Sequence, residues 1–142
     1  MSVQEELESI RQEGNGVLRP EAVVAFARNP KTALHRYFTW DDTEAANKYR
    51  LWQAREVIRV QVQITNQNVG PIRTYVSLVE DRKGDGGGYR TIDDVMASSI
   101  YRRQLLSQAR RDMDRFTTKY GQLEQLAQVL KAMREAQEVL TV

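Results

Sequence analysis

The chain has no cysteine, which excludes disulfides, thiolate metal ligands and a cysteine nucleophile. It has one histidine, His35, lying among packing residues, where a structural role is expected and a catalytic one is not. No stretch approaches the roughly 18 apolar residues that a membrane span needs. The start, Met1-Ser2-Val3-Gln4-Glu5-Glu6, is acidic and polar and does not read as a secretory signal, so a cytoplasmic location is expected. Neither sign of charge dominates, with 21 Lys and Arg against 19 Asp and Glu. No serine or threonine sits in a nucleophile motif, and no catalytic constellation, metal set or cofactor motif is found.

What is present suits one domain with an ordinary core: 142 residues, 41% apolar and 28% charged. The small positive charge is concentrated at the end, where residues 98 to 142 hold eight basic and five acidic side chains. Arginine outnumbers lysine sixteen to five, which favours planar anions such as phosphate or carboxylate.

Val3, Leu7 and Ile10 fall on one side of a short opening helix that stops at Gly14-Asn15-Gly16. Pro20 and Glu21 open a helix that runs to Arg28 and ends at Asn29-Pro30. A short helix is expected from about Lys31 to Phe38. Thr39 to Glu44 then signals the start of a third helix, to Arg59, through an aspartate cap. Trp40, Tyr49 and Trp52 are expected in the core that locks these helices together.

The period then drops to two. Val60 to Ile64 alternates as a half-buried strand, Asn66 to Pro71 is a turn, and Ile72 to Val79 is a second strand, pairing as an antiparallel hairpin. After a glycine loop, Thr91 and Asp94 form a capping-box-like start to a short helix. From Ser98 no proline occurs. Leu106, Ala109, Met113, Phe116, Tyr120, Leu123, Ala127 and Leu130 form a heptad-like seam, widened by Leu105, Leu126 and Met133. Gly121 marks a place for a bend or break within it.

The fold expected is α+β and mainly helical. Three short N-terminal helices precede one antiparallel hairpin in winged-helix order, over residues 1–97, and a long helix, residues 98–142, packs on the same domain. That helix is expected to make a homo-oligomer, a dimer first, through Leu106, Met113, Phe116, Tyr120, Leu123 and Leu130.

In the winged-helix reading, the polar side of the third helix (Thr43, Glu44, Asn47, Lys48, Arg50, Arg55) meets DNA, and the hairpin is the wing. Asp41, Asp42 and Glu44 oppose this by placing negative charge near phosphates. Arg82, Lys83 and Arg90 around the glycine loop have the charge to cradle a phosphate, though no Walker motif follows. Arg111, Arg115 and Lys119 recur every four residues away from the seam, beside Arg103 and Arg110; Asp112 and Asp114 dilute this patch, and a solvated face with local ion pairs is the favoured reading of it. Asp81-Arg82-Lys83 has half of a metal-nuclease pattern and lacks the converging carboxylates.

Two stretches carry a resemblance. Leu18-Arg19-Pro20-Glu21-Ala22-Val23 through Leu34-His35-Arg36-Tyr37-Phe38-Thr39-Trp40-Asp41-Asp42 to Tyr49-Arg50-Leu51-Trp52-Gln53-Ala54-Arg55 is the first. Arg73-Thr74-Tyr75-Val76-Ser77-Leu78, with Asp81-Arg82 and Gly86-Gly87-Gly88-Tyr89-Arg90, is the second. Together they resemble small phage and prophage proteins of proteobacteria that have no assigned activity. The resemblance implies a phage-encoded intracellular accessory protein and no functional residues. The leading expectation is a non-enzymatic DNA-binding accessory protein, a regulator or packaging factor. The alternative is a protein-binding module, either a virion or assembly component or an inhibitor of a host protein.

Overall fold

The computed structural model describes residues 1–41, 43–82 and 87–140, which divide into two compact units, Met1–Ser99 and Ile100–Val142. The protein is mainly helical with two small antiparallel strand pairs. No helix among the described residues is long and apolar enough to cross a membrane.

In the first unit, α1 (Val3–Glu13) is capped by Ser2, whose hydroxyl accepts from the Glu5 amide at 3.2 Å. Its Leu7 and Ile10 enter the core, and Asn15 and Gly16 leave it through positive φ angles of 56° and 88°. Pro20 opens α2 (Pro20–Ala27), where its missing amide costs nothing. Val23, Val24 and Ala27 face inward from α2 against Ala54 and Ile58 of α3 (Glu44–Arg59). Thr43 caps α3 by accepting from the Ala46 amide at 3.1 Å, in place of the expected aspartate.

The helix expected over Lys31–Phe38 is a single 3-10 turn, Leu34–Tyr37. The Asn29 side chain accepts from the Lys31 amide, and the Thr32 hydroxyl donates to the Asn29 carbonyl, which holds the chain in a turn before Leu34. Glu6 serves the start of that 3-10 turn from α1. Its carboxylate is buried and accepts from the Ala33 and Leu34 amides at 2.8 and 2.9 Å. Replacing Glu6 with alanine strands two amides, and a loss of about 2 kcal/mol is expected, read by urea denaturation. Glu6→Gln, with one acceptor oxygen left, should lose less.

The second expected strand is broken. β1 (Val62–Ile64) pairs with β2 (Pro71–Arg73), while β3 (Tyr75–Val76) pairs with β4 (Arg90–Thr91). Thr74 is the corner, donating to the Gln61 carbonyl and accepting from the Ile92 amide, so the chain changes partner within one residue. Winged-helix order is therefore not reproduced as one continuous hairpin. Thr91 caps α4 (Ile92–Ala97) by accepting from the Asp94 amide, as its spacing implies.

Arg11 ties α1 to α4, reaching Glu8 at 2.9 Å and Asp94 at 3.0 Å. Its hydrogen bond holds the Glu8 carboxyl below the ordinary value of 4.5, against an opposing effect of burial. A group whose pKa is lower in the folded state stabilises above the unfolded value. That contribution disappears as pH falls through the lowered value. Glu8→Gln should therefore flatten the stability–pH curve below about pH 4.5 and leave its neutral limb parallel to wild type, measured by urea unfolding across that range.

The second unit corrects the expectation of one long helix. α5 (Ser99–Tyr120) stops before Gly121, a short 3-10 turn follows, and α6 (Ala127–Leu140) begins. A Cβ at position 121 would lie 2.6 Å from the Thr117 carbonyl oxygen, so the break needs glycine. The Gln137 amide donates to Asp114 at 2.6 Å and to the Arg110 carbonyl at 3.3 Å, which places α6 back alongside α5. The seam is thus folded on itself. Leu130 is buried, Met113, Phe116 and Tyr120 are half-buried, and Leu106 and Leu123 remain exposed.

Candidate interaction surface

Helix α3 has more large apolar residues than one buried face can take. The row Ala46, Arg50, Ala54 and Ile58, spaced by four, is the buried one. Its small residues let α3 lie close to α2. Tyr49 and Trp52 are left on the outer face, 49% and 51% exposed, with rings 5.6 Å apart and inclined by 18°. The expectation that both belong to the core is overturned.

Trp40 takes the core-side role, half-buried and donating from its indole to the His35 carbonyl at 2.9 Å. His35 stacks on it at 4.9 Å and donates from Nδ1 to the Ala27 carbonyl at 2.7 Å. The guanidinium groups of Arg50 and Arg28 lie 5.5 and 5.6 Å from the Trp40 ring.

Arg50 is the largest correction among the expected DNA contacts. It is 4% exposed and donates to the Thr39 and Asp41 carbonyls at 3.1 and 2.7 Å, and to the Asn47 side-chain oxygen at 3.2 Å. Arg50 and Asn47 thus hold the loop that enters α3. Arg82 donates to Ser77, and Arg90 forms a two-point pair with Asp81 at 2.8 and 3.0 Å. That pair engages the carboxylate of the nuclease-like triplet as well. Lys83 and most of the glycine loop lie outside the described residues.

Lys48 is exposed and Arg55 half-buried, about one turn of α3 either side of Trp52. Arg111, Arg115 and Lys119 belong to the other unit. There Arg115 pairs with Asp112 at 3.2 Å and Lys119 lies 5.1 Å from the Tyr120 ring.

The hairpin has the opposite phase to that expected. Val62 and Ile64 are 52% and 65% exposed, whereas Gln63 is half-buried and donates to Asp93 at 3.2 Å. Gln63 and its cross-strand partner Ile72 are both half-buried and share one face. Val62 pairs with Arg73 and Ile64 with Pro71 on the open face. Alternation alone gives a period of two; which phase faces inward is set by neighbours, here Asp93 and the Thr74 corner.

A groove of about 600 Å³ opens beside Trp52. Val3, Tyr37, Trp52, Val57 and Val60 form its apolar lining, with Gln53 and Glu56 among its polar residues. Val60, the residue that ends α3, lines the groove and is exposed, and Val62 and Ile64 are exposed two and four residues further along the chain. Exposed apolar residues thus follow one another along the chain as a strip, from Tyr49 and Trp52 of α3 through Val60 to Val62 and Ile64 of β1.

No family model matches the chain, and no similar curated protein or solved structure was found.

Proposed function

We propose that the chain is a non-enzymatic, phage-encoded accessory protein of the host cytoplasm, and that it binds another protein through the outer face of α3 and the open face of β1. The observation that carries this reading is the half-exposed stacked pair Tyr49–Trp52 beside an apolar groove. Tryptophan and tyrosine at the centre of an exposed apolar patch are what protein interfaces use as anchors. Val62 and Ile64 extend the patch, and neither residue is needed inside.

The DNA-binding reading loses its strongest side chains to internal bonds: Arg50, Asn47, Arg82 and Arg90 all hold the fold. Lys48 and Arg55 remain for it in the first unit, and Arg111, Arg115 and Lys119 in the second. Fluorescence anisotropy with random duplex DNA at about 50 and 300 mM salt separates the two readings. Weak binding with little salt dependence is expected. Micromolar binding that falls steeply with salt would restore DNA as the partner.

A separate surface favours self-association of the second unit. Val129, Ala132, Ala136 and Val139 are all exposed along one side of α6. Their i, i+3, i+7 and i+10 spacing makes a helix-packing stripe. α6 carries two basic and two acidic residues, so two copies approach there without net repulsion, unlike at the basic α5. Light scattering at micromolar concentration should give the mass of two chains, and Val129→Glu the mass of one; a wild-type mass of one chain overturns this.

A further inference from the structure

The charge around the strip says what kind of partner it takes. Lys48 precedes Trp52 by one turn of α3, Arg55 follows it by three residues, and Arg73 lies opposite Val62 in the sheet register. None of the three has an ion pair among the described residues. The carboxylates on this side are differently placed. Glu56 at the groove is bonded to Arg59 at 2.8 Å, and Glu44 stands in the first turn of α3, where the helix dipole favours it. Glu5 lies beyond Ser2 and accepts from its hydroxyl at 3.2 Å. The strip is therefore accompanied by three cations that have no ion pair among the described residues.

Resting on the reading of this face as a protein-binding surface, we propose that its partner is an acidic protein segment. Apolar or aromatic anchors of that segment enter the groove at Trp52 and Val60, and its flanking carboxylates meet Lys48, Arg55 and Arg73. Charge matching around an apolar centre is how interfaces select partners and speed encounter. A nucleic acid supplies the negative charge but has no use for Val60, Val62 and Ile64 as neighbours. Duplex DNA also needs side chains such as Arg50, which is buried and bonded to backbone carbonyls.

The test is selection from a displayed library of random peptides about 12 residues long, on the full chain immobilised by its C-terminus because Ser2, near the N-terminus, lines the groove. Enriched peptides should combine two or more large apolar residues with a net negative charge. Their affinity should fall at least tenfold with Trp52→Ala, and roughly threefold or more with Lys48→Glu or Arg73→Glu, in a salt-dependent way.

Enriched peptides that depend on Trp52 but are neutral or basic would leave the binding face standing and overturn the acidic partner. Peptides indifferent to both Trp52→Ala and Val62→Asp, or no enrichment at all, would overturn the face itself. Salt-sensitive quenching of tryptophan fluorescence by oligothymidylate, lost in Trp52→Phe, would replace the protein partner by single-stranded nucleic acid. A two-chain mass reduced to one by Val62→Asp would make a second copy the occupant, against the proposal. Circular dichroism of each variant confirms that it is folded before its affinity is read.

Discussion

Arg50→Met is expected to destabilise the first unit by about 3 kcal/mol, enough to lower its melting temperature by roughly 10–20 °C. Methionine keeps much of the length and all the apolar contact of the side chain, so the loss reports the guanidinium. Three acceptors depend on it: the Thr39 and Asp41 carbonyls and the Asn47 side chain. Charged donors strengthen such bonds, and the buried Arg50 side chain is where all three converge. The Trp40 ring loses a cation 5.5 Å from its centre at the same time.

Arg50→Lys provides the comparison. An ammonium group keeps the charge but cannot spread its donors over carbonyls on one side and an amide on the other, so a partial loss is expected. Urea denaturation followed by tryptophan fluorescence measures both. A cost below about 1 kcal/mol for Arg50→Met would mean that the loop entering α3 is held by other contacts. Arg50 would then be free to act at the surface.

Trp52→Ala should show the reverse pattern. A buried tryptophan cut to alanine typically costs about 3–5 kcal/mol. Trp52 is half-exposed and its indole has no place in the core cluster, so its truncation should cost under about 1 kcal/mol. Binding at the strip should fall about thirtyfold, the size expected of an anchor worth about 2 kcal/mol. Trp40→Ala should lose stability instead, because the Trp40 ring carries the His35 stack and the bond to the His35 carbonyl. A sharp drop in melting temperature with Trp52→Ala would place Trp52 back in the core.

Local signals in the sequence identify most of the elements. Pro20 at the start of α2, Thr91 before α4, and Gly14 to Gly16 after α1 act through bonds within a few residues, so their positions can be read directly. Gly121 does the same for the end of α5. What stays hidden depends on distant partners. Glu6 looks like any acidic residue in a first helical turn, yet it caps a 3-10 turn 27 residues further on. Tyr49 and Trp52 are apolar at plausible core spacing, and it is the packing of α2 against Ala54 and Ile58 that excludes them. Arg50 has the chemistry of a base-reading residue until the carbonyls of residues 39 and 41 are seen around it.

The hairpin shows the same limit. Val60, Val62 and Ile64 alternate correctly for a strand, but inward and outward phases give the same alternation. Gln63 bonding to Asp93 fixes the outward phase for the valines, and that is what creates the open strip. A sequence signal for the candidate surface did exist, in the surplus of large apolar residues on α3 over those one face can bury. It cannot be read without knowing which row of α3 meets α2.

The central claim, that this strip binds a protein, is tested most directly by photo-crosslinking. A benzophenone side chain is placed at Val62, at Tyr49 or at Ala25, an exposed residue of α2 outside the strip, and the full chain is irradiated in lysate of the cells that produce it. The reading predicts the same discrete protein adduct from positions 62 and 49, suppressed by excess unlabelled wild type, and none from position 25. Adducts of equal yield at all three positions, or adducts digested by nuclease, would contradict it.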